Sequence, residues 1–347
     1  MVKKVLILDG ISGVPLATEI TEAFRELTIA TDYIDSSKLK RRKFNKITSA
    51  VQKLIHRYIL KEDYYRHPKM ANQNIQQVIA GSQPDIVFVI GFLYRFFDLE
   101  FFKQLKDRHE FKLYLYDTDS GNLFNNKREL LYFFNRELPI YDHIFSFSKT
   151  TTEFINKLNS VEATFFPYGA KQIPKQDVKV KQHDVLFVGS ADMRRVFLLE
   201  HLTQQNLCVY GSKWQRNGDV ISTELNSVIH DQSIWGDELH QLLATSKIIL
   251  NITRSTFYGV ETGLNLRIFE TLAAGGFLLT DHCEELEELF IIGKHIETYK
   301  NAKELKEKVE YYLTHEDERA AIARSGYEFY MKNYAWKSRM EKLLQLF

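Results

Sequence analysis

Cysteine and proline are scarce in this chain of 347 residues, which contains two cysteines and six prolines. Cys208 and Cys283 are too few for a disulfide framework and do not form a zinc pattern. No stretch approaches the roughly 18 apolar residues that a membrane-spanning helix needs. The apolar run after Lys4 is too short for a signal peptide. We therefore expect a cytoplasmic protein without a transmembrane segment.

An excess of charge of one sign is also missing, because 46 basic and 45 acidic residues leave a formal net charge of +1 at pH 7. This balance argues against a dedicated nucleic-acid-binding protein, although it leaves room for a local basic patch. The length is more than a single hydrophobic core usually organises, so two domains are expected.

The most informative stretch is Tyr258–Asp281, with the sequence YGVETGLNLRIFETLAAGGFLLTD. Its pattern predicts a loop, a helix over 265–274, a stop at Gly275 and Gly276, and a buried parallel strand over 277–280. Open parallel sheets bind ligands at the carboxyl ends of their strands. The stretch therefore predicts a binding site where this strand ends.

The start of the predicted helix suits a nucleotide. Its free backbone N–H groups and positive dipole end favour a phosphate, and Arg267 in the first turn adds a planar cation. Glu270 follows three residues later on the same face, where its carboxylate can accept hydrogen bonds from a ribose diol. The alternative is an ordinary surface Arg–Glu pair, which is common and weak.

The stretch resembles the donor-binding signature of GT-B glycosyltransferases, which have two Rossmann-like domains. It is most similar to the spore maturation protein (CgeB-like) branch, whose pattern is Asn/Ser-x-Arg-x-x-Glu-x-x-Ala-x-Gly-Gly. The matching residues are Asn265, Arg267, Glu270, Ala273, Gly275 and Gly276. The retaining families carry two glutamates with seven residues between them. Glu270 fits the second position, whereas Thr262 occupies the first and Glu261 is one place off.

This resemblance implies an α/β protein of GT-B architecture, with two Rossmann-like domains facing across a cleft. We predict an acceptor-side domain over 1–170, a linker over 171–183 and a nucleotide-sugar-binding domain over 184–330. A helix over 331–347 would cross back to the first domain. The enzyme would need no metal or cofactor, would use a UDP- or GDP-sugar with UDP favoured, and would glycosylate a hydroxyl acceptor of unknown identity.

A second strand–glycine–helix pattern begins before Gly189 and supports the two-domain division. Many GT-B enzymes place a cation five or six residues after this glycine, aimed at the donor diphosphate. Arg194 and Arg195 occupy these positions; we expect one of them to reach phosphate and the other to face solvent. Arg254 follows the predicted strand 248–252 and is another candidate for binding the diphosphate.

Two glycine-containing loops supply further candidates. The loop 211–214 contains Lys213, which could neutralise phosphate, and Trp214, which could line the base pocket; the alternative for both is ordinary loop packing. Near the amino terminus, the loop after the first strand contains Gly13 and would face the cleft in a GT-B enzyme. Its spacing does not match the dinucleotide fingerprint, so a nicotinamide cofactor is not indicated.

Asp117 and Asp119 follow a predicted strand over 112–116 and are the catalytic candidates. In the GT-B interpretation, either residue could be the general base for the acceptor hydroxyl of an inverting enzyme. Asp-x-Asp is also the metal signature of the other large glycosyltransferase architecture, GT-A, where it holds Mn²⁺ or Mg²⁺. A third interpretation is a polar turn that caps the next helix.

The segment 38–61 is the most basic part of the chain and has apolar residues at helical spacing. Such a helix can lie on an anionic membrane or bind a polyanionic acceptor. A non-catalytic module that binds nucleotides or polyanions would use the same helix. The alternative is a surface helix that packs its apolar stripe on its own domain.

Overall fold

The computed structural model describes residues 2, 4–11, 13–42, 45–61, 65, 67–118, 127–173, 181–259 and 262–346. Asp119, Glu261 and most of the predicted linker 171–183 lie outside these ranges. The chain divides into two compact units: the first unit is Met1–Pro167 with Met340–Phe347, and the second unit is Tyr168–Arg339. Among the described helices, none is long and apolar enough to cross a membrane.

The first unit is built on a six-stranded parallel sheet. The strands are β1 (Lys4–Asp9), β2 (Ala30–Asp35), β3 (Ile86–Ile90), β4 (Lys112–Asp117), β5 (His143–Ser146) and β6 (Ala163–Phe165). The helices are α1 (Leu16–Glu26), α2 (Asn45–Tyr58), α3 (Asn72–Ser82), α4 (Leu99–His109), α5 (Lys127–Tyr132) and α6 (Lys149–Lys157). The sheet order is β2-β1-β3-β4-β5-β6, and every pairing is parallel.

The central strands of this sheet are continuous apolar runs. All four residues of 5–8 in β1 have no exposed surface, and the residues of β3 are at most 2% exposed. Parallel strands take this composition because helices cover both faces of the sheet. The sequences KVLIL and IVFVI therefore lie in the buried centre of this sheet.

The second unit contains another six-stranded parallel sheet. Its strands are β7 (His183–Val188), β8 (Leu207–Tyr210), β9 (Ile229–His230), β10 (Ser246–Asn251), β11 (Leu278–Asp281) and β12 (Glu297–Tyr299). The remaining helices are α7 (Met193–Glu200), α8 (Thr223–Asn226), α9 (Gly236–Thr245), α10 (Ser255–Tyr258), α11 (Leu266–Ala273), α12 (Glu284–Leu289), α13 (Ala302–Thr314), α14 (Glu316–Asn333) and α15 (Trp336–Leu344). The order β9-β8-β7-β10-β11-β12 is that of the Rossmann fold.

Helix α11 has the boundaries that the sequence predicts to within a residue. Asn265 is the N-cap, and its side chain accepts a hydrogen bond from the backbone N–H of Arg267. Gly275 follows the helix with a φ of +69°, a left-handed conformation that favours glycine. Gly326 of α14 lies against this region, since a Cβ added there would be 2.9 Å from Leu272. The helix is thus fixed at both ends and along its buried side.

Candidate functional site

The strand order of the second unit locates a crevice. The chain runs outward from β7 to β9 and then returns to β10 on the other side of β7. Ligands bind at such a switch point, beyond the carboxyl ends of the strands. The segments that leave β7 and β10 there begin with Gly189 and Ile252. Most of the predicted donor-binding residues lie in these segments or on α11.

Gly189 and Gly211 bring two loops into close contact. The backbone N–H of Gly189 donates to the carbonyl of Tyr210 at 2.8 Å. Gly211 has a φ of +153°, and a Cβ there would lie 1.9 Å from the carbonyl oxygen of Gly189. Only glycine fits at such a contact, because any side chain would meet fixed backbone.

Trp214 contributes to this loop packing. It is 1% exposed, packs edge-on against Phe187, and donates its indole N–H to the Gly189 carbonyl at 3.1 Å. This geometry favours loop packing, one of the two predicted alternatives for Trp214. Lys213 next to it is exposed, with a φ of +73°. Lys213 is therefore an exposed cation at this edge of the sheet.

Arg194 forms a forked ion pair with Asp281, the last residue of β11. Its two terminal nitrogens lie 2.9 and 2.5 Å from the carboxylate oxygens of Asp281. The guanidinium also donates to the carbonyl of Thr253 at 3.1 Å and lies 3.7 Å from the ring centre of Tyr258. Arg194 therefore ties the ends of β10 and β11 together.

Arg195 differs from its prediction. We expected one member of the Arg194–Arg195 pair to face solvent, but Arg195 is only 8% exposed. Its guanidinium donates to the carbonyls of Ile252, at 2.9 and 2.8 Å, and of Ser190, at 2.7 Å. Backbone carbonyls at the ends of two adjacent strands need donors, so this arginine is held inside the fold.

Arg254 is the exposed arginine of this region. It follows β10, and its guanidinium donates to the Ser190 hydroxyl at 3.1 Å. Asp192 fixes the neighbouring backbone: one of its oxygens accepts from the N–H of Arg195 and the other from that of Ser255, both at 3.0 Å. The sequence did not single out this role of Asp192, although an aspartate three residues before Arg195 is a helix N-cap signal.

Arg267 and Glu270 form a buried ion pair. The separation between Nη1 and Oε2 is 2.7 Å, and the residues are 9% and 5% exposed. The predicted pairing is present, but the surface alternative is wrong because both side chains are inside the protein. Nε and Nη1 of Arg267 and Oε2 of Glu270 have no hydrogen-bond partner among the described residues, since the ion pair lacks hydrogen-bond geometry. Buried charges normally have such partners.

Burial and the opposite charge act on this pair in opposite directions. Burial raises the pKa of Glu270, while the positive charge of Arg267 lowers it. His240 on α9, which the sequence analysis did not identify, lies close enough to Arg267 for the two side chains to interact electrostatically. Burial lowers the pKa of His240, and the positive charges of Arg267 and Lys171 act in the same direction. No motif marks this histidine, because only folding brings α9 close to α11.

Asp117 and Gly13, the described candidates in the first unit, lie at or just beyond the carboxyl ends of its strands. Asp117 ends β4, is 2% exposed, and accepts a hydrogen bond from the Ser146 hydroxyl at 2.7 Å. Gly13 has a φ of +87°, and a Cβ there would meet nothing within 4 Å. Within the described part of the chain, no group of three or more His, Cys, Asp or Glu residues has a metal-binding arrangement.

Comparisons with known proteins agree with this geometry. Residues 194–345 match the family model described as Glycosyl transferase-like. A search of curated proteins found no match.

Among solved structures, the chain is similar to HepE from Anabaena in complex with UDP-glucose, at 11% identity and a TM-score of 0.66, covering 100% of this chain and 99% of that one. Sucrose-phosphate synthase from Thermosynechococcus elongatus gives 12% identity, a TM-score of 0.67, and coverage of 99% and 98%. An alpha-glucosyltransferase solved with UDP-glucose and DNA containing an abasic site gives 11%, 0.68, and 99% of both chains.

These similarities confirm the predicted fold class: the chain is an α/β protein of the GT-B fold. Each unit has the parallel six-stranded sheet of a Rossmann-like domain. The family match covers the part of the second unit that contains Arg194, Arg254, Arg267 and Glu270. Within this GT-B fold, residues 194–345 are similar in sequence to the family described as Glycosyl transferase-like.

Proposed function

We propose that this protein transfers a sugar from a nucleoside diphosphate donor, with a UDP-sugar favoured, to a hydroxyl group of an acceptor. The buried Arg267–Glu270 pair with unused hydrogen-bonding atoms is the observation that carries the proposal. A ribose diol supplies the donors that a carboxylate lacks there. Two of the similar structures were solved with UDP-glucose, which supports the choice of nucleotide.

In this proposal, Glu270 accepts hydrogen bonds from the ribose hydroxyls, and Arg267 orients that carboxylate through the ion pair. Arg254 and Lys213 are exposed cations that neutralise the diphosphate. The N-terminus of α11 at Asn265 adds its dipole.

Arg194 and Gly189 would act mainly through the shape of the site. The guanidinium of Arg194 is already engaged by the carboxylate of Asp281, which offsets its charge, so Arg194 would mainly hold the ends of β10 and β11 in place. The absence of a side chain at Gly189 would let the backbone approach the donor.

The chemical step requires stabilisation of the departing nucleoside diphosphate. Guanidinium and ammonium groups oriented before the reaction can supply it, because they interact most strongly with the charge that develops as the glycosidic bond breaks. We therefore favour a reaction that is independent of metal. If the configuration at the anomeric carbon is inverted, Asp119 or Asp117 in the first unit would be the base; the Ser146 contact makes Asp117 better suited to positioning.

The finer assignments follow from the motif. We place the chain in the CgeB-like branch because of the pattern from Asn265 to Gly276. We assign the acceptor to the domain 1–170 and the donor to 184–330, with a cytoplasmic location. The metal-dependent and non-catalytic alternatives are not favoured, since the family match and the fold are those of GT-B transferases.

Substitution of Glu270 by Ala tests the donor site. A thermal-shift screen against UDP, GDP, CDP, ADP and dTDP first identifies the nucleotide, because a nucleotide that binds only the folded state raises the melting temperature. We expect UDP to give the largest shift. The affinity for UDP is then measured by calorimetry at a temperature at which the variant is folded. We expect it to weaken about tenfold to hundredfold, which corresponds to one or two lost charge-assisted hydrogen bonds.

Glu284→Ala is the matched control, because Glu284 is an exposed glutamate at the start of α12. This variant should bind UDP like the unmodified protein. An unchanged affinity in the Glu270→Ala variant would reject the donor-site assignment.

A further inference from the structure

Helix α2 is amphipathic in an unusual orientation. Ile47, Val51, Leu54 and Tyr58 recur at spacings of four, three and four, so they form one stripe along the helix. In a helix that packs on its own domain, such a stripe faces the core. Here the four side chains are 69%, 51%, 56% and 67% exposed. The predicted alternative, in which the stripe packs on its own domain, is therefore wrong.

The polar face of α2 is the one that faces the protein. Ser49, Gln52 and His56, which recur at spacings of three and four, are half-buried. The side-chain amide oxygen of Gln52 accepts a hydrogen bond from the hydroxyl of Tyr65 at 2.7 Å. The ring of His56 stacks on that of Tyr65 with a centroid separation of 3.7 Å. Specific polar contacts thus hold the helix with its apolar stripe outward.

The exposed stripe continues past the end of the helix. Ile59 and Leu60 are 71% and 54% exposed. Contiguous exposed apolar surface of this kind is uncommon on a protein that is surrounded only by water, and it marks an interaction site.

The surroundings of the stripe are strongly basic. Residues 38–61 contain nine Lys and Arg residues and no Asp or Glu. Lys53 and Arg57 are exposed on α2, and both lie to the same side of the stripe. Within a chain whose net charge is only +1, this is a local concentration of positive charge next to bare apolar side chains.

We propose that α2, with Ile59 and Leu60, docks on an anionic lipid bilayer. The cations would lie at the level of the headgroups and the stripe would enter the acyl boundary, as in amphipathic helices that lie in the plane of a membrane. A nucleic acid or another soluble polyanion would use the cations but would leave the stripe in water. The outward orientation of the stripe therefore favours the bilayer.

Vesicle flotation tests the proposal. The full chain is mixed with vesicles of equal parts phosphatidylcholine and phosphatidylglycerol, or of phosphatidylcholine alone. We expect binding to the anionic vesicles and much weaker binding to the neutral ones. The variant Val51→Ser with Leu54→Ser should lower the partition coefficient by about tenfold or more, because it removes two apolar anchors. Lys53→Gln with Arg57→Gln should weaken binding and reduce its salt dependence.

Matched controls come from other exposed residues. Val220 and Leu131 are 52% and 53% exposed, close to Val51 and Leu54, so Val220→Ser with Leu131→Ser should leave vesicle binding unchanged. The α2 variants should keep the melting temperature and the UDP affinity of the unmodified protein, which separates this test from that of the donor site.

The proposal is overturned if no binding to anionic vesicles occurs, or if the Val51→Ser, Leu54→Ser variant binds them as well as the unmodified protein does. Binding to heparin that is insensitive to that pair, without binding to vesicles, would assign the surface to a polyanion instead.

Discussion

Arg267 and Glu270 form a contact that stability alone does not explain. Replacing a buried ion pair by apolar residues of similar volume is often neutral or stabilising, whereas removing one partner costs about 3–5 kcal/mol. Nε of Arg267 also has no hydrogen-bond partner among the described residues, and the 2.7 Å contact between Nη1 and Oε2 lacks hydrogen-bond geometry. A pair that contributes little to stability is well explained by a ligand that completes its hydrogen bonds.

The first prediction separates stability from binding at this pair. Arg267→Met and Glu270→Leu should each lower the melting temperature, because each leaves an unpaired buried charge. The double variant should recover most of that loss in the free protein but should show no thermal shift with UDP. Thermal denaturation with and without UDP measures both effects. A double variant that binds UDP normally would contradict the role of the pair.

Glu137 provides a second prediction, from the first unit. It has no exposed surface, and its carboxylate accepts hydrogen bonds from the N–H groups of Leu93 and Tyr94 and from the hydroxyl of Tyr141. Burial raises the pKa of Glu137 to about 7, although these hydrogen bonds and the charge of Arg95 lower it. The folded state therefore holds this proton more tightly than the unfolded state does.

The sign of the pH effect follows from that difference. Below the unfolded pKa, both states are protonated and the contribution of Glu137 to stability is complete. As the pH rises through about 7, that contribution is lost, by about 3 kcal/mol. Urea denaturation from about pH 5 to about pH 8 should show a free energy of unfolding that falls relative to the Glu137→Gln variant. Parallel curves for the two proteins would contradict the raised pKa; titration of the histidines affects both alike.

At the scale of elements, the loops after β7 and β8 depend on a glycine contact. Gly211→Ala would place a Cβ 1.9 Å from the Gly189 carbonyl, so backbone must move. We expect a loss of at least about 2 kcal/mol in the free energy of unfolding, and weaker UDP binding because the Gly189 loop is displaced. Gly218→Ala is the control, since a Cβ there meets nothing within 4 Å. Equal stability of the two variants, from chemical denaturation, would show that the loops tolerate separation.

Helix α11 and helix α2 show which features of a helix the sequence predicts and which it does not. For α11, local signals are sufficient, because Asn265 caps one end and Gly275 adopts the left-handed conformation at the other. For α2, the helical period was correct, but the direction of its apolar face was not accessible from the period. That direction depends on the contact of Gln52 with Tyr65, which lies beyond the end of the helix.

At the scale of the whole molecule, the proposed mechanism predicts that the transfer reaction does not need a metal ion. The favoured mechanism stabilises the leaving diphosphate with side-chain cations. Sugar transfer, or slow hydrolysis of the UDP-sugar, should therefore have the same rate in EDTA as in buffer containing Mg²⁺ or Mn²⁺. Loss of turnover in EDTA, with recovery on adding metal, would instead support the Asp-x-Asp alternative. UDP binding measured in both buffers is the control for donor-site integrity.

The sequence by itself determined the α/β class, the buried strands β4, β10 and β11, and the ends of α11. These follow from local propensities, capping and hydrophobic periodicity, which act over a few residues. Only the tertiary structure decided that Arg195 is buried against two backbone carbonyls, that Arg194 is engaged by Asp281, and that the stripe of α2 faces solvent. Each of these depends on a partner outside the residue's own helix, and such neighbours are fixed by packing and not by local sequence.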